Sequence, residues 1–317
     1  MTGAGKTPAD LRGGLQDWRA LAVLGAAVEA GLVEALAGQP LSSARLAERC
    51  GCNPRAVRIV LAALQSLGYV ERQGEQCALA PAARRLLADP RDEEYALHPI
   101  LHQYWMMTRW VRLPCLLRPD APRTESPAHF IGAMAAGAER SAQQIADIVL
   151  ARWPQARSVL DVGGGPGVHA REFIRRGLAA TILDRPEVIE LARPVWHDRP
   201  AITLVGGDFN VALPPGPFDL AFLGSVCHIY GPDENQALFH RVFGVLAPGG
   251  GVAVADFVLA ISPAAPMFAV NMLASTERGG TWTRDEYETW LAGAGFVRAQ
   301  VRDLEGGFRQ LILAEKP

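Results

Sequence analysis

The sequence lacks several features that would assign it to a specialised class of protein. Its 317 residues contain 31 Lys and Arg against 33 Asp and Glu, a net charge of −2, so there is no basic field to neutralise the phosphates of a nucleic acid. The longest apolar stretch, ALAVLGAAVEAGLVEALAG, is interrupted by Glu29 and Glu34, which is not typical of a membrane span. The opening MTGAGKTPAD has no apolar core of a secretory signal. We therefore expect neither nucleic acid nor membrane as a partner, and a cytoplasmic location.

Cysteine is scarce, and its spacing does not form a set of metal ligands. The five cysteines are Cys50, Cys52, Cys77, Cys115 and Cys227. An odd number without paired motifs favours reduced thiols. Cys50 and Cys52 form one CxC motif without a second pair, so two small buried residues beside a helix end are the favoured interpretation and a metal site is the alternative. We predict no metal.

The first half of the chain has the pattern of a helical domain. WRALAVLGAAVEAGLVEALAG carries apolar residues at helical spacing and predicts one helix that stops at Gly38. LSSARLAERCGCNPRAVRIVLAALQSLGYVE predicts two helices joined at GCNP, the first capped by Ser42 or Ser43 and the second starting after Asn53. YVERQGEQCALA follows as two short strands around a glycine turn. This order is typical of a winged helix.

A winged helix can bind DNA or a second protein chain. Arg55 and Arg58 lie on the helix that would contact DNA. Glu48 and Glu71 are close to them in the sequence, however, and the chain is acidic overall. The apolar surface of this Ala- and Leu-rich half favours burial against a second copy of the chain. We therefore predict a homodimer through this domain, with a ligand-responsive DNA-binding regulator as the alternative.

An aromatic-rich stretch and a proline-rich stretch end this half. Residues 95–117, YALHPILHQYWMMTRWVRLPCLL, form either ordinary helix core or the wall of a pocket for a flat apolar ligand, which Trp105 would then contact. RPDAPRTESP follows with three prolines in ten residues and is the best linker in the chain. We predict a helical winged-helix domain over residues 1–125 and a second domain over residues 126–317.

The second half alternates short apolar strands with helical segments. The strands are SVLDV, ATILD, ITLVG, FDLAFLG and GVAVADFVL. Strand–helix alternation predicts an α/β fold with a parallel sheet covered on both faces. FVRAQVRDL and FRQLILAEK, joined by EGG, predict a closing antiparallel hairpin.

The first of these strands runs into a glycine-rich turn. In VLDVGGGPG, the glycines at 163, 165 and 167 let the backbone approach a ligand closely. Ligands of a doubly wound sheet bind at this carboxyl edge of the strands. The spacing is GxGxG, whereas the GxGxxG of dinucleotide binders would place its third glycine at Val168. The turn therefore indicates a ligand without a pyrophosphate-type motif.

Two further strand ends indicate a nucleoside. Asp184 closes ATILD, 21 residues after Gly163, where a carboxylate can accept hydrogen bonds from both ribose hydroxyls. GGDFN places Asp208 and Phe209 after the next strand, and an acid and an aromatic ring suit a purine. Each alone is compatible with ordinary turn chemistry. Together the three strand ends predict a site for an adenosine-containing ligand.

Six motifs in this order resemble the S-adenosylmethionine-dependent O-methyltransferases of the plant and bacterial natural-product type. They are VLDVGGGPG, LDRPEVIELAR, GGDF, HIYGPDEN, VLAPGGGVAVADFVL and NMLAST followed by GGTWT. The resemblance covers nearly the whole chain. It implies a winged-helix dimerisation domain followed by a class I methyltransferase domain, which is a Rossmann-like, seven-stranded sheet with a C-terminal antiparallel hairpin.

The same resemblance implies S-adenosyl-L-methionine as cofactor and S-adenosyl-L-homocysteine as product. The implied cofactor contacts are Gly163, Gly165, Asp184, Asp208, Phe209, Gly224 and Ser225. Position 224 is a lysine in many plant members and a glycine here, so only its backbone can contribute.

His228 stands in FLGSVCHIYGPDEN, between an apolar run and a polar turn. In the family, the histidine after the fourth strand is the general base, and His228 occupies the matching place. Its chemistry is suitable, because a phenol has a pKa of about 10 and imidazole one of about 6.5. General-base assistance contributes about 10²–10⁴-fold to a rate. A strand-end histidine bonded to backbone is the alternative.

The residues around this histidine depart from the plant pattern, which has two glutamates. The first corresponds to Asp256, a shorter acid that can still orient the imidazole, and the second to Thr281, which has no carboxylate. The Asp and Trp that follow the histidine in plants are Ile229 and Tyr230 here. Bacterial members vary in this acid set. We predict His228 as catalytic, with Asp256 and Thr281 beside it.

The acceptor site is the least defined by sequence. The predicted acceptor contacts are Trp105, Met134, Asn271, Met272 and Trp282, each of which could instead be a packing residue. Met134 lies in FIGAM, which resembles the family's FNxAM. We predict metal-free O-methylation of a phenolic or other hydroxyl on a small aromatic or polyketide-like natural product. The alternatives are N- or C-methylation and non-methylating chemistry such as decarboxylation, hydroxylation or a pericyclic reaction.

Overall fold

The structure is a computed structural model that describes residues 6–118, 127–196 and 199–317, with backbone alone for 127–137 and 140. The chain forms two units, residues 1–123 with 269–274, and residues 124–268 with 275–317.

The first unit is mostly helical, with one small sheet. Its elements are α1 (Pro8–Gly14), α2 (Trp18–Glu29), α3 (Leu32–Gly38), β1 (Leu41–Ser42), α4 (Ser43–Cys50), α5 (Pro54–Leu67), β2 (Val70–Gln73), β3 (Gln76–Leu79), α6 (Pro81–Leu87), α7 (Leu97–Trp110) and α8 (Leu113–Leu117). The strands pair antiparallel in the order β1-β3-β2. Ser42 and Asn53 accept backbone hydrogen bonds at the starts of α4 and α5, as N-caps do. Helix, turn, helix and hairpin therefore follow each other as the sequence predicted.

The prediction of one continuous helix up to Gly38 is wrong. Helix α2 ends at Glu29 and α3 begins at Leu32, because Gly31 between them has a φ of 74°, a conformation that glycine adopts without a Cβ clash. The two helices bend by 68°. No single helix of the described ranges is long and apolar enough to cross a membrane, and only this bent pair passes that test of length and composition.

The second unit contains seven strands and the helices that cover them. Its elements, with one helix that carries residues of both units, are α9 (Pro127–Arg152), β4 (Ser158–Val162), α10 (Val168–Arg175), β5 (Ala179–Asp184), α11 (Pro186–Trp196), β6 (Ile202–Gly206), β7 (Phe218–Gly224), α12 (Pro232–Val245), β8 (Leu246–Asp256), the shared α13 (Ala265–Ser275), α14 (Arg284–Gly293), β9 (Val297–Asp303) and β10 (Gln310–Glu315). A 3₁₀ turn, Cys227–Ile229, follows β7.

The seven strands form one mixed sheet in the order β6-β5-β4-β7-β8-β10-β9. Strands β4 to β8 are parallel, and β10 pairs antiparallel with both β8 and β9. This confirms the predicted seven-stranded sheet with a closing hairpin. The chain leaves β4 in one direction for β5 and later returns to the other side for β7. The crevice at the carboxyl ends of β4 and β7 is the switch point at which open α/β sheets bind ligands.

Each face of this sheet has its own hydrophobic core. Phe239, Tyr287 and Trp290 belong to the core on one face, and Trp153 and Phe173 belong to the core on the other. Most residues on β4, β7 and β8 are buried, as expected for parallel strands covered on both faces. The rigid part of the unit therefore lies directly beneath the loops at the carboxyl edge.

Gly251 on β8 tests how tightly this core is packed. A Cβ at position 251 would overlap the six-membered ring of Trp153, and overpacking of a core costs about 1–3 kcal/mol. We therefore expect Gly251→Ala to lower the free energy of unfolding by about that amount in urea denaturation.

Gly244 on α12 is the matched control. A Cβ there would meet no heavy atom within 4 Å, and alanine is the better helix former by up to about 1 kcal/mol. Gly244→Ala should leave stability unchanged or raise it. Equal unfolding midpoints for the two variants would contradict the packing of Trp153 on β8.

Candidate active site

The turn after β4 has a backbone that glycine adopts readily. Gly163, Gly165 and Gly167 have φ angles of 67°, 55° and 83°, all in the left-handed region. A Cβ at Gly163 would lie 2.8 Å from Val226 and 3.5 Å from Phe209. A Cβ at Gly165 would meet no atom within 4 Å. The loops after β6 and β7 therefore close on one side of the turn, and its other side is open.

The carboxylate of Asp184, at the end of β5, is fixed by this turn. Its Oδ2 accepts a hydrogen bond from the Gly165 amide at 2.9 Å, and its Oδ1 accepts one from the Arg185 amide at 2.8 Å. A carboxylate offers about four acceptor positions, so each oxygen of Asp184 keeps one. Two acceptor positions on one rigid carboxylate fit the two hydroxyls of a ribose.

A cavity of ≈ 260 Å³ opens at the carboxyl ends of β5 and β6. Its lining combines apolar side chains and backbone with one carboxylate, and comprises Leu183, Val205, Gly206, Gly207, Asp208, Val211, Ala212, Leu213 and Pro214. Apolar walls with one acid suit a purine and its exocyclic amine. Phe209 does not line this cavity. It is 7% exposed, and its ring packs edge-on against Tyr230 at 5.6 Å, so its predicted contact with the cofactor stays a prediction.

The end of β7 also has an unusual backbone. Ser225 has a φ of 62°, which residues with a Cβ rarely adopt and which costs on the order of 1–3 kcal/mol. Its amide donates to the Ala255 carbonyl at 2.9 Å. A Cβ at the preceding Gly224 would lie 2.8 Å from the Phe222 ring and 3.2 Å from His169. These two rings occupy the space that a longer side chain at position 224 would need.

His228 lies in the 3₁₀ turn after β7 and is paired with Asp256 at the end of β8. The two atoms in contact, His228 Nδ1 and Asp256 Oδ1, are 2.7 Å apart. The His228 amide also donates to Asp256 Oδ2 at 3.2 Å. The two side chains are 8% and 1% exposed. The structure thus brings together two of the three residues predicted to be catalytic.

The charge state of Asp256 determines which nitrogen of His228 carries the proton. Burial favours the neutral acid, but the His228 imidazole, the Phe257 amide and the charge of Arg309 outweigh it, so the pKa of Asp256 lies below its usual value. An ionised carboxylate only accepts hydrogen bonds. In the neutral imidazole, the proton is therefore on Nδ1 of His228, and Nε2 carries the lone pair. A proton acceptor with a fixed orientation is the arrangement that general-base catalysis requires.

Three polar side chains that sequence reasoning did not assign to this role hold the histidine turn. Asn235 donates to the Cys227 carbonyl at 2.9 Å and to the Tyr230 carbonyl at 3.2 Å. The Trp282 indole donates to the same Cys227 carbonyl at 3.0 Å. The Tyr287 hydroxyl donates to Asp256 Oδ2 at 3.3 Å.

The role of Tyr287 follows from its burial, which only the structure shows. It lies on α14 and is fully buried, and a buried tyrosine hydroxyl needs a hydrogen-bond partner. The sequence does not show that this partner is Asp256, 31 residues away.

Thr281, the third residue predicted to be catalytic, bonds elsewhere. It is buried, and its hydroxyl donates to the Ala265 carbonyl at 3.3 Å. The neighbouring Gly280 amide donates to the His228 carbonyl at 2.9 Å. The segment around Thr281 therefore supports the backbone of His228, and assistance to the imidazole by Thr281 stays a prediction.

The predicted acceptor contacts lie in different parts of the chain. The side chain of Met134 is outside the described residues. Trp105 on α7 is 50% exposed. On α13, Asn271 is exposed and Met272 is buried. These last three belong to the first unit, whereas Trp282 is in a core of the second. Contact of any of them with an acceptor stays a prediction.

Within the described side chains, the cysteines form neither a disulfide nor a group of metal ligands. All five cysteines are free thiols. Among the residues with described side chains, no group of three or more His, Cys, Asp or Glu is placed to hold a metal ion, and Cys50 and Cys52 belong to no such group. Catalysis without metal stays a prediction.

Comparison with known protein families assigns both halves of the chain. Residues 128–297 match the O-methyltransferase domain. Residues 15–89 match the O-methyltransferase dimerisation domain.

Two bacterial proteins are similar over most of their length. The tetracenomycin polyketide synthesis 8-O-methyl transferase TcmO of Streptomyces glaucescens is 29% identical over 92% of this chain and 91% of its own. The 3-hydroxy-5-methyl-1-naphthoate 3-O-methyltransferase of Streptomyces sahachiroi is 28% identical over 86% of this chain and 84% of its own.

Solved structures share the fold. An O-methyltransferase family 2 protein from Planctomyces limnophilus, solved with apigenin, superposes with a TM-score of 0.82 at 23% identity over 99% of this chain and 97% of that one. Human N-acetylserotonin methyltransferase, solved with S-adenosylmethionine, gives a TM-score of 0.56 at 23% identity over 100% and 99%.

A seven-stranded sheet of this order, with its last hairpin antiparallel and a glycine-rich turn at the switch point, makes the protein a class I methyltransferase. The family matches define the protein more narrowly than the fold does, because the O-methyltransferase domain match alone covers more than half of the chain. The chain belongs to the O-methyltransferase family, and it is an S-adenosylmethionine-dependent enzyme. The resemblance, fold, enzyme class and cofactor predicted from the sequence are confirmed.

Asp161, the last residue but one of β4, is a buried acid that sequence reasoning did not single out. It is 0% exposed. Neither carboxylate oxygen has a regular hydrogen-bond partner among the described residues, although the Ala170 amide is near. A Cβ at Gly164 would lie 2.7 Å from its Cγ. Burial raises the pKa of Asp161 to about 7.

The raised pKa predicts a pH-dependent stability. The folded protein binds the Asp161 proton more tightly than the unfolded chain, whose pKa at this position is 3.8. The protonated acid therefore contributes its full share to stability below pH 3.8, and this contribution is lost as the pH rises through about 7. Asp161→Asn removes the titration. Without cofactor, the unfolding free energy of Asp161→Asn minus that of the wild type should rise by roughly 4 kcal/mol from pH 4 to pH 8. Urea denaturation at each pH measures this difference, and a flat difference would contradict a protonated Asp161.

Proposed function

We propose that the enzyme methylates a hydroxyl of a small aromatic, polyketide-like natural product, with His228 as general base. The observation that carries the proposal is the orientation of the imidazole: Asp256 occupies Nδ1 at 2.7 Å, so Nε2 is the nitrogen left for an acceptor. Two relatives support the acceptor class. One is named for tetracenomycin polyketide synthesis, and the other for a hydroxynaphthoate.

The cofactor is held by the loops that follow β4, β5 and β6. Asp184 would accept hydrogen bonds from the ribose hydroxyls at the acceptor positions that the turn leaves free, and Asp208 would accept one from the adenine amine. The backbone of the glycine turn, with Gly224 and Ser225, would hold the rest of the cofactor. When bound, S-adenosylmethionine supplies a methyl group on a cationic sulfur, which leaves as a neutral thioether.

His228 moves the one proton of the reaction. Nε2 would accept the proton of the acceptor hydroxyl as that oxygen is methylated, and would later release it to solvent. Asp256 holds the ring in one tautomer and stabilises the imidazolium that forms. Its own proton affinity is low enough for it to remain the anion. Alignment of the reacting atoms contributes the rest of the rate.

Aromatic rings beside the histidine support a flat acceptor. The Phe268 ring packs edge-on against the His228 imidazole at 4.8 Å, and the Phe257 ring stacks on Phe268 at 4.2 Å. Rings placed this way offer an apolar wall next to the base, and small-molecule sites are usually lined by such side chains.

The first unit is proposed to form a homodimer. Its match to a dimerisation domain supports this, as does an exposed apolar group on α7, α8 and the turn between them. This apolar group comprises Trp105, Trp110, Val111, Leu113, Leu116 and Leu117. Exposed apolar groups of this kind mark interaction surfaces.

We also propose a cytoplasmic location, because the cysteines are free thiols. Secretion of the protein into the medium would contradict it.

The first test separates cofactor binding from the base. S-adenosylhomocysteine should raise the melting temperature of the wild type, because a ligand that binds only the folded state stabilises it. His228→Ala should lower turnover of phenolic acceptors by about 10²–10⁴-fold and leave affinity for S-adenosylhomocysteine unchanged. Labelled methyl transfer and calorimetry measure the two quantities, and analysis of the product distinguishes O- from N- and C-methylation.

His240 on α12 is exposed and provides the control, since His240→Ala should change neither quantity. Asp256→Asn keeps the shape of the pair but no longer stabilises the imidazolium, so its turnover should also fall, with cofactor affinity retained. Full turnover by His228→Ala would remove the histidine from the mechanism.

The dimer has its own test. The wild type should have twice the 34.1 kDa mass of one chain in light scattering. Leu116→Asp combined with Leu117→Asp places two charges in the exposed apolar group and should give the single-chain mass. Leu191, 47% exposed in the second unit, is the control site, because Leu191→Asp should leave the mass unchanged. A wild type of single-chain mass would contradict the proposal.

A further inference from the structure

Arg309, directly before β10, is a partly buried cation with an unusual set of neighbours. Its guanidinium lies over the Phe257 ring, with Cζ 5.1 Å from the ring centroid. Burial lowers its pKa, and the charge of Asp256 acts in the opposite direction. Within the part of the chain that the structure describes, the Arg309 guanidinium makes no ion pair or hydrogen bond with a protein acceptor. Other arginines of this unit differ: Arg152 pairs with Glu315, and Arg176 with Asp147.

The sheet brings this arginine to the same edge as the catalytic pair. Gln310 is the register partner of Asp256, so Arg309 lies just beyond the end of β8. Two ring contacts connect it to the base: Phe257 stacks on Phe268 at 4.2 Å, and Phe268 meets the His228 imidazole at 4.8 Å. All of these residues belong to the second unit. The cation and the base thus lie at two ends of one aromatic wall.

A partly desolvated guanidinium without an anion is unfavourable, and the nearest carboxylate is not free to pair with it. Asp256 already accepts hydrogen bonds from His228, Phe257 and Tyr287. The neighbouring His169 is neutral, because burial, with the Arg309 charge as a second cause, lowers its pKa to about 4. It therefore neither pairs with the guanidinium nor adds a second positive charge. The N–H donors of the Arg309 guanidinium are therefore available to an anionic group of a ligand.

We propose that Arg309 binds a carboxylate of the aromatic acceptor, so that the substrate is an aromatic hydroxy acid anchored at one end by the guanidinium and methylated at the other beside His228. The proposal rests on the function proposed above and specifies its substrate class. Guanidinium and carboxylate match in a two-bond, charge-assisted geometry.

The position in the sheet favours the acceptor over the cofactor as the source of this carboxylate. The residues assigned to the adenosine follow β5 and β6, on one side of β4. Arg309 precedes β10, which lies beyond β7 and β8 on the other side. The alternative source is the carboxylate of the cofactor's amino-acid part, and the experiment must separate the two.

The test compares two matched probes, 6-hydroxy-2-naphthoate and 2-naphthol, which differ only in the carboxylate. Calorimetry on the wild-type complex with S-adenosylhomocysteine should show tighter binding of the naphthoate. Arg309→Met should weaken naphthoate binding by about tenfold or more, the usual effect of losing a charged hydrogen bond. The same change should leave the affinities for naphthol and S-adenosylhomocysteine nearly unchanged.

Two further variants control for folding and for general charge. Arg309→Lys keeps the charge without the planar fork and should retain part of the naphthoate preference, which excludes a mere loss of structure. Arg302, exposed on the adjacent strand β9, is the matched arginine, and Arg302→Met should bind both probes as the wild type does. Melting temperatures of all variants are measured alongside.

Each contrary outcome has a clear meaning. A wild-type complex that binds the naphthoate no more tightly than naphthol overturns the proposal, as does an Arg309→Met variant that keeps the preference. Loss of S-adenosylhomocysteine affinity in Arg309→Met assigns the arginine to the cofactor and also overturns it. Failure of the proposed function is a separate result: the wild type then transfers no labelled methyl to any phenol, whatever it binds.

Discussion

The buried contact between the His228 imidazole and the Asp256 carboxylate requires several hydrogen-bond donors around the carboxylate, and the rest of the second unit supplies them. A carboxylate that is 1% exposed remains ionised only if donors surround it. Here the donors are the ring and amide of His228, the Phe257 amide and the Tyr287 hydroxyl. They come from three separate elements of one unit, so the orientation of the base depends on the packing of the whole sheet.

The topology explains why cofactor and base lie at one edge. Strands β4, β5, β7 and β8 run parallel, so their carboxyl ends, and the loops that carry Asp184 and His228, face the same side. Only the last strand, β10, runs the other way. For that reason the start of β10, with Arg309 in front of it, reaches the same edge beside Asp256. An antiparallel last strand therefore supplies a charge that a parallel strand would place at the opposite end of the sheet.

Departures from the plant pattern have local physical explanations. A Cβ at position 224 would crowd the rings of Phe222 and His169, so a lysine there would require these rings to shift. Thr281 takes the place of a glutamate, and its hydroxyl bonds to backbone. In this chain the hydroxyl of Tyr287 supports the acid of the pair instead. The polar environment of the base in this chain thus includes the Tyr287 hydroxyl and leaves out that of Thr281.

The sequence by itself determined the order of elements, the closing hairpin and the strand ends that carry Asp184, Asp208 and His228. These features depend on local periodicity, turn residues and the rule that parallel strands share an edge. Only the tertiary structure decided what holds those side chains. The break at Gly31 depends on one backbone dihedral. The hydrogen bond of Asp256 to Tyr287 and its longer-range electrostatic interaction with Arg309 join residues more than 30 positions apart. A spacing pattern records what is close along the chain, whereas burial and hydrogen-bond partners depend on what is close in space.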